Sequence, residues 1–154
     1  MRFPPSRFFV WPGVAVLVAV LAIQLVPYGH NRVNPPVVAE PAWNAAVTRA
    51  LARDACFDCH SNQTQWPLYS RVAPASWLVQ WDVEKGRAKL NFSEWQRRQD
   101  DAHEAAEAVQ KGEMPPAKYR LMHAHARLSD ADRLRLAEGL TATIGGESDA
   151  GHQR

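Results

Sequence analysis

The chain has 154 residues, 46% of them hydrophobic and 22% charged, with a formal net charge of +2, which is enough for one globular domain and a short appendage. Setting Arg2 and Arg7 apart from the 18 basic residues leaves 16, against 16 acidic ones. So even a balance excludes the clustered basic face of a nucleic-acid binder and gives no sign of steering toward an acidic partner.

No charged residue lies between Phe8 and Val26, and Val14–Ile23 is wholly apolar. A basic flank ahead of an apolar run marks an export signal or a signal anchor, because the flanking charge stays on the cytoplasmic side. The run is close to the ~20 residues that cross a bilayer as a helix, and no small-x-small cleavage site follows it. We expect residues 1–26 to form a retained single-pass transmembrane signal anchor in the inner membrane, with everything after Pro27 in the periplasm. Cleavage would leave a soluble periplasmic form instead. Pro27, Pro35, Pro36 and Pro41 make 27–41 an extended spacer, since proline lacks the donor that helices and sheets need.

Residues 42–144 predict an all-α domain, because no stretch alternates with period two. A first helix is expected over 42–55, with Trp43, Val47, Ala50 and Leu51 at helical spacing. A second is expected over 74–85, with Gly86 near its end. A third should start at Ser93 as N-cap, with Gln96 three residues on, and stop before Gly112. A fourth should start at Ser129, with Asp132 at the capping-box position and Leu136, Leu140 and Ile144 on one face. From Gly145 to Arg154 the chain is small and polar, and a disordered tail is expected.

The only two cysteines lie in Cys56-Phe57-Asp58-Cys59-His60, the spacing of c-type haem attachment. Two thiols three positions apart on one helical turn can each add across a haem vinyl group, and the next residue projects an imidazole at the iron. A thioredoxin-type dithiol wants a βαβ setting, which is absent here. A disulfide across the loop leaves His60 without a role. Zinc would need another ligand, from His103, His123 or His125. For the second iron ligand, Met114 leads: it stands in the proline-stiffened Gly112-Glu113-Met114-Pro115-Pro116, and His/Met ligation is an established haem pairing. Its plain alternative is core filling. His123 is the alternative sixth ligand, then Met122; His30, His103, His125 and His152 read as solvated. Trp66, Trp77, Trp81 and Trp95 read first as core, with packing or hydrogen bonding to a porphyrin as the second reading. Tyr69 and Arg71 are candidate propionate partners.

Ala55-Cys56-Phe57-Asp58-Cys59-His60-Ser61-Asn62, followed by Trp66-Pro67, Tyr69-Ser70, Val72-Ala73-Pro74 and Ser76-Trp77-Leu78, resembles the bacterial haem-binding-domain family of small exported monohaem c-type proteins. Leu90-Asn91-Phe92-Ser93-Glu94-Trp95, Met114-Pro115-Pro116, Tyr119, His123 and Leu128-Ser129 continue the resemblance. One departure is that His123 is followed by Ala124 and His125 rather than by proline and an acidic residue. The resemblance implies a cytochrome-c-like helical fold, a periplasmic location, one covalent haem c on Cys56 and Cys59, His60 as iron ligand, and Met114 as a candidate for the other face.

The expected function is a membrane-tethered electron carrier, not an enzyme, serving redox partner proteins of the periplasm or membrane. Two alternatives stand beside it. One is a five-coordinate haem enzyme or sensor, peroxidase-like or gas-binding, which would need an open distal position. The other is an interaction module without haem whose cysteines form a disulfide.

Overall fold

The computed structural model describes residues 6–99 and 101–151. Its elements are helices α1 (Ser6–Ile23), α2 (Ala46–Ala55), α3 (Phe57–His60), α4 (Ala75–Lys89), α5 (Ala105–Gln110), α6 (Ala117–Met122) and α7 (Asp130–Gly151), with 3-10 turns at Leu68–Arg71, Ala102–Glu104 and Ala124–Ala126. Among the described residues the extended backbone forms only an isolated bridge, Ala39 with Glu94, so the chain is all-α as its pattern predicts. It divides into two compact units: Met1–Val33 with Trp66–Trp81, and Asn34–Gln65 with Asp82–Arg154.

The first unit is built on α1, where Trp11 (74% exposed) and Leu17 (58%) show how little of its apolar surface is covered. The helix stops at Ile23, short of the expected Val26, because Gln24 turns back. Its amide donates to Ala73 O at 3.1 Å and its carbonyl accepts from Ala73 N at 2.9 Å. Helix α1 has 18 residues. Among the described residues no helix is long and apolar enough to cross a membrane. The expected spanning helix over 1–26 is therefore without support among the described residues; Met1–Pro5 lie outside them. Arg32 then donates to Gly29 O and Ser70 O, at 3.4 and 3.3 Å. Gly29, at φ +81°, is pressed so closely on the Ser76 backbone that a side chain would collide with it.

In the second unit α7 packs against α2 and α5. Ala52, Phe57, Phe92, Val109, Leu136 and Leu140 are buried in one core. Trp43 and Trp95 flank Phe92, with ring centroids 5.2 and 5.9 Å away. Residues 34–41, expected as spacer, belong to this unit. Val38 N and Ala39 N donate to Ser93 O, Trp95 N donates to Ala39 O, and Glu40 takes both nitrogens of the Arg49 fork at 2.7 Å.

Three helical expectations shift. The first helix starts at Ala46, and the second runs on through Gly86 to Lys89. The third does not start at Ser93. That residue is fully buried, its hydroxyl accepts from Asn62 N at 2.9 Å, and helix begins only at Ala105. Ser129 does cap the last helix as expected, exchanging bonds of 3.1 and 2.7 Å with Asp132 N and Oδ2. The expected tail from Gly145 begins inside α7, whose backbone continues to Gly151; residues 152–154 lie outside the described residues.

Candidate functional site

Cys56 stands at the junction where α2 ends and α3 begins, with φ −122° and ψ −34°. This break re-aims the chain, so that Cys56, Cys59 and His60 form a separate turn after α2. Asn91 carries the other half of the cradle. Its amide donates to Asn62 Oδ1 and its carbonyl oxygen accepts from Ser93 N, both at 2.9 Å. Phe92 N donates to His60 O at 2.8 Å, and Arg87 Nε donates to Ser61 O at 2.8 Å. Gly86 sits on the Cys59 carbonyl so closely that any side chain there would overlap it.

Both cysteines are free. Burial pushes the Cys56 thiol up to about 12. Burial, and then the nearby Asp82 and Asp58 charges, do the same for Cys59. Neutral thiols of this kind are unlike the activated thiolate of a dithiol redox site. Among the described residues no group of three or more His, Cys, Asp or Glu converges as a metal cluster, which leaves a zinc site without its ligands.

His60 is neutral, because burial lowers its pKa more than its hydrogen bonds raise it. Its Nδ1 lies 3.1 Å from Leu90 O. A carbonyl can only accept, so Nδ1 carries the proton and Nε2 keeps its lone pair. Metal-bound histidines are held in this way, the second nitrogen fixing ring and tautomer.

His60, Cys56 and Met114 line one cavity of about 180 Å³, walled by Leu90, Phe92, Val109 and Leu140 and rimmed by Lys89, Asp101, Glu104 and Glu113. Met114 is 38% exposed, so it is not a buried core filler. His123 is not among the lining residues. Its ring stacks on Tyr119 at 4.0 Å and its Nδ1 is 3.1 Å from Tyr119 O. Met122 is 60% exposed and also absent from the lining. Trp66, Tyr69, Arg71, Trp77 and Trp81 belong to the first unit, and the cavity to the second. The sequence assigned Leu90 no role, although the resemblance includes it, because its contribution is a backbone carbonyl. Nor was the link from Tyr119 to Asp58 foreseen, although the resemblance includes both residues.

Cys59 is not among the lining residues either, but an apolar cavity with an imidazole lone pair, a thioether and the Cys56 thiol fits an iron-centred macrocycle. It also opens to solvent, so a larger group would be covered on part of its surface only. The family model described as Haem-binding domain matches residues 18–142. No curated protein and no solved structure matches the chain.

Proposed function

We propose that this chain, which belongs to the haem-binding-domain family, holds one haem c through thioether bonds at Cys56 and Cys59, ligates its iron with His60 and Met114, and relays single electrons outside the cytoplasm. Haem binding follows from the family. The finer reading rests on one observation above all: His60 and Met114 line the same apolar cavity beside Cys56.

A bound haem supplies a one-electron ferric/ferrous couple, and His/Met ligation sets it at the higher end of haem potentials. The chain's own residues do the rest. The Leu90 carbonyl aims the imidazole. Leu90, Phe92, Val109 and Leu140 provide a dry wall, which disfavours the more highly charged state. Covalent attachment suits a cavity this small, because it holds the group without full enclosure. The exposed apolar surface of α1, with Arg2 ahead of it and Arg7 in its first turn, supports export and attachment to the inner membrane, with the haem domain on the periplasmic side. The partners are redox proteins of the periplasm or membrane.

The acidic mouth at Asp101, Glu104 and Glu113 favours a second reading, a five-coordinate haem with polar groups at an open position. Both are tested in cells that attach haem. Salt-washed membranes on a denaturing gel should show a haem-stained band for the wild type and none for Cys56→Ala/Cys59→Ala. Met114→Ala should abolish the weak near-infrared charge-transfer band of the ferric form and lower the potential. A wild type without that band, turning over peroxide, would select the second reading.

A further inference from the structure

We infer that Tyr119 is a positioning residue for Met114, acting through Asp58 of the Cys–His turn; this rests on Met114 being an iron ligand. The Met114 loop is fixed before and after the methionine. On the near side, Glu113 N and Met114 N both donate to Ala108 O, at 3.0 and 3.1 Å, in the last turn of α5. On the far side, Pro116 O accepts from Tyr119 N and Arg120 N, both at 3.0 Å. Tyr119 is therefore coupled to the end of the loop by one hydrogen-bonded turn.

The Tyr119 hydroxyl donates to Asp58 Oδ2 at 2.5 Å. Asp58 is itself held: Oδ1 accepts from Gln65 N and its carbonyl from Thr64 Oγ1, both at 2.7 Å. It stands between the two cysteines, so this bond ties the Met114 loop to the turn that carries His60. The ring stacks on His123, and His125 Nε2 is 3.3 Å from the hydroxyl.

A second tie runs from Lys118 to Asp82 at 2.8 Å, but on an exposed side. Exposed ion pairs contribute little, whereas a short bond to a carboxylate is among the stronger hydrogen bonds. The phenol therefore sets how long the loop stays closed. A thioether is a weak ligand, so its occupancy at the iron depends on the loop being presented correctly.

The test is imidazole binding to the ferric, haem-loaded full-length protein. Tyr119→Phe should keep its haem on a denaturing gel and keep the near-infrared band, yet bind imidazole about tenfold more tightly, as the loop opens more readily. Asp58→Asn should act in the same direction, and the double variant should add little to either. Lys118→Ala should stay within about twofold of the wild type. Wild-type affinity in Tyr119→Phe, multiplying effects of the Tyr119 and Asp58 changes, or an equal rise in Lys118→Ala would each overturn the inference. In those cases Met114→Ala would still raise imidazole affinity and lose the band. If Met114→Ala changes neither, the ligand assignment itself is wrong and the positioning role falls with it.

Discussion

At Asn62 one side chain serves three neighbours. Its amide donates to Pro36 O at 2.9 Å and Glu94 Oε1 at 3.1 Å, and its carbonyl oxygen accepts from Asn91 at 2.9 Å. Asn62 and Asn91 are both buried, so truncation strands the Asn91 amide, which water cannot reach. Asn62→Ala should cost about 2 kcal/mol of unfolding free energy in a urea titration, the range for orphaned buried groups. A change under about 0.5 kcal/mol, typical of exposed positions, would show the network to be dispensable. The two thiols and the imidazole were legible because their chemistry is written in residue type and spacing. Asn62 appeared only within a resemblance, and Leu90 acts through its backbone, which no residue type announces. Ser93 was misread for a related reason. A hydroxyl suits a helix start and a buried backbone donor equally well, and only the Asn62–Asn91 neighbours decide between them.

Two of the glycines in helix α7 have opposite consequences. Gly139 faces Thr48 of α2, and a Cβ there would overlap the Thr48 side chain. Thr48 is itself buried and has little room to move. Gly145 has nothing within 4 Å of where its Cβ would be. Alanine in a helix interior gains up to about 1 kcal/mol over glycine, whereas overpacking a tight crossing costs about 1–3 kcal/mol. Gly139→Ala should therefore destabilise by about 1 kcal/mol net, and Gly145→Ala should stabilise by a few tenths to 1 kcal/mol. Thermal melts of the two variants moving in the same direction would contradict the α2–α7 contact. Periodicity and Ser129 capping made α7 readable along most of its length. The segment expected as the third helix was not readable from its stripe. Residues 94–99 fold back instead, Gln99 accepting from Asn91 N at 3.0 Å and donating to Glu94 O at 2.9 Å. Side-chain bonds of this kind compete with helix and leave no periodic trace.

Across the molecule, stability at acid pH depends on how residues 34–41 join the second unit. Prolines marked this stretch as extended, and it is so. Its role as a free spacer failed because Glu40 and neighbouring backbone donors find partners in that unit. The Arg49 hydrogen bond, reinforced by Trp43 and Gln63, holds the Glu40 carboxyl below its ordinary 4.5 despite an opposing burial effect. Between the lowered folded value and 4.5 the unfolded chain binds more protons, so stability rises with pH through that window. The contribution is complete above about pH 4.5 and is lost as pH falls through the folded value. Arg49 is 39% exposed, so solvent screening limits the gain to about 1 kcal/mol. Glu40→Gln should lower the unfolding free energy by about that amount at pH 7, and by progressively less toward pH 3, flattening this part of the profile. The same deficit at both pH values would mean that Glu40 acts through shape and neutral hydrogen bonds, with its charge irrelevant to holding the segment in place.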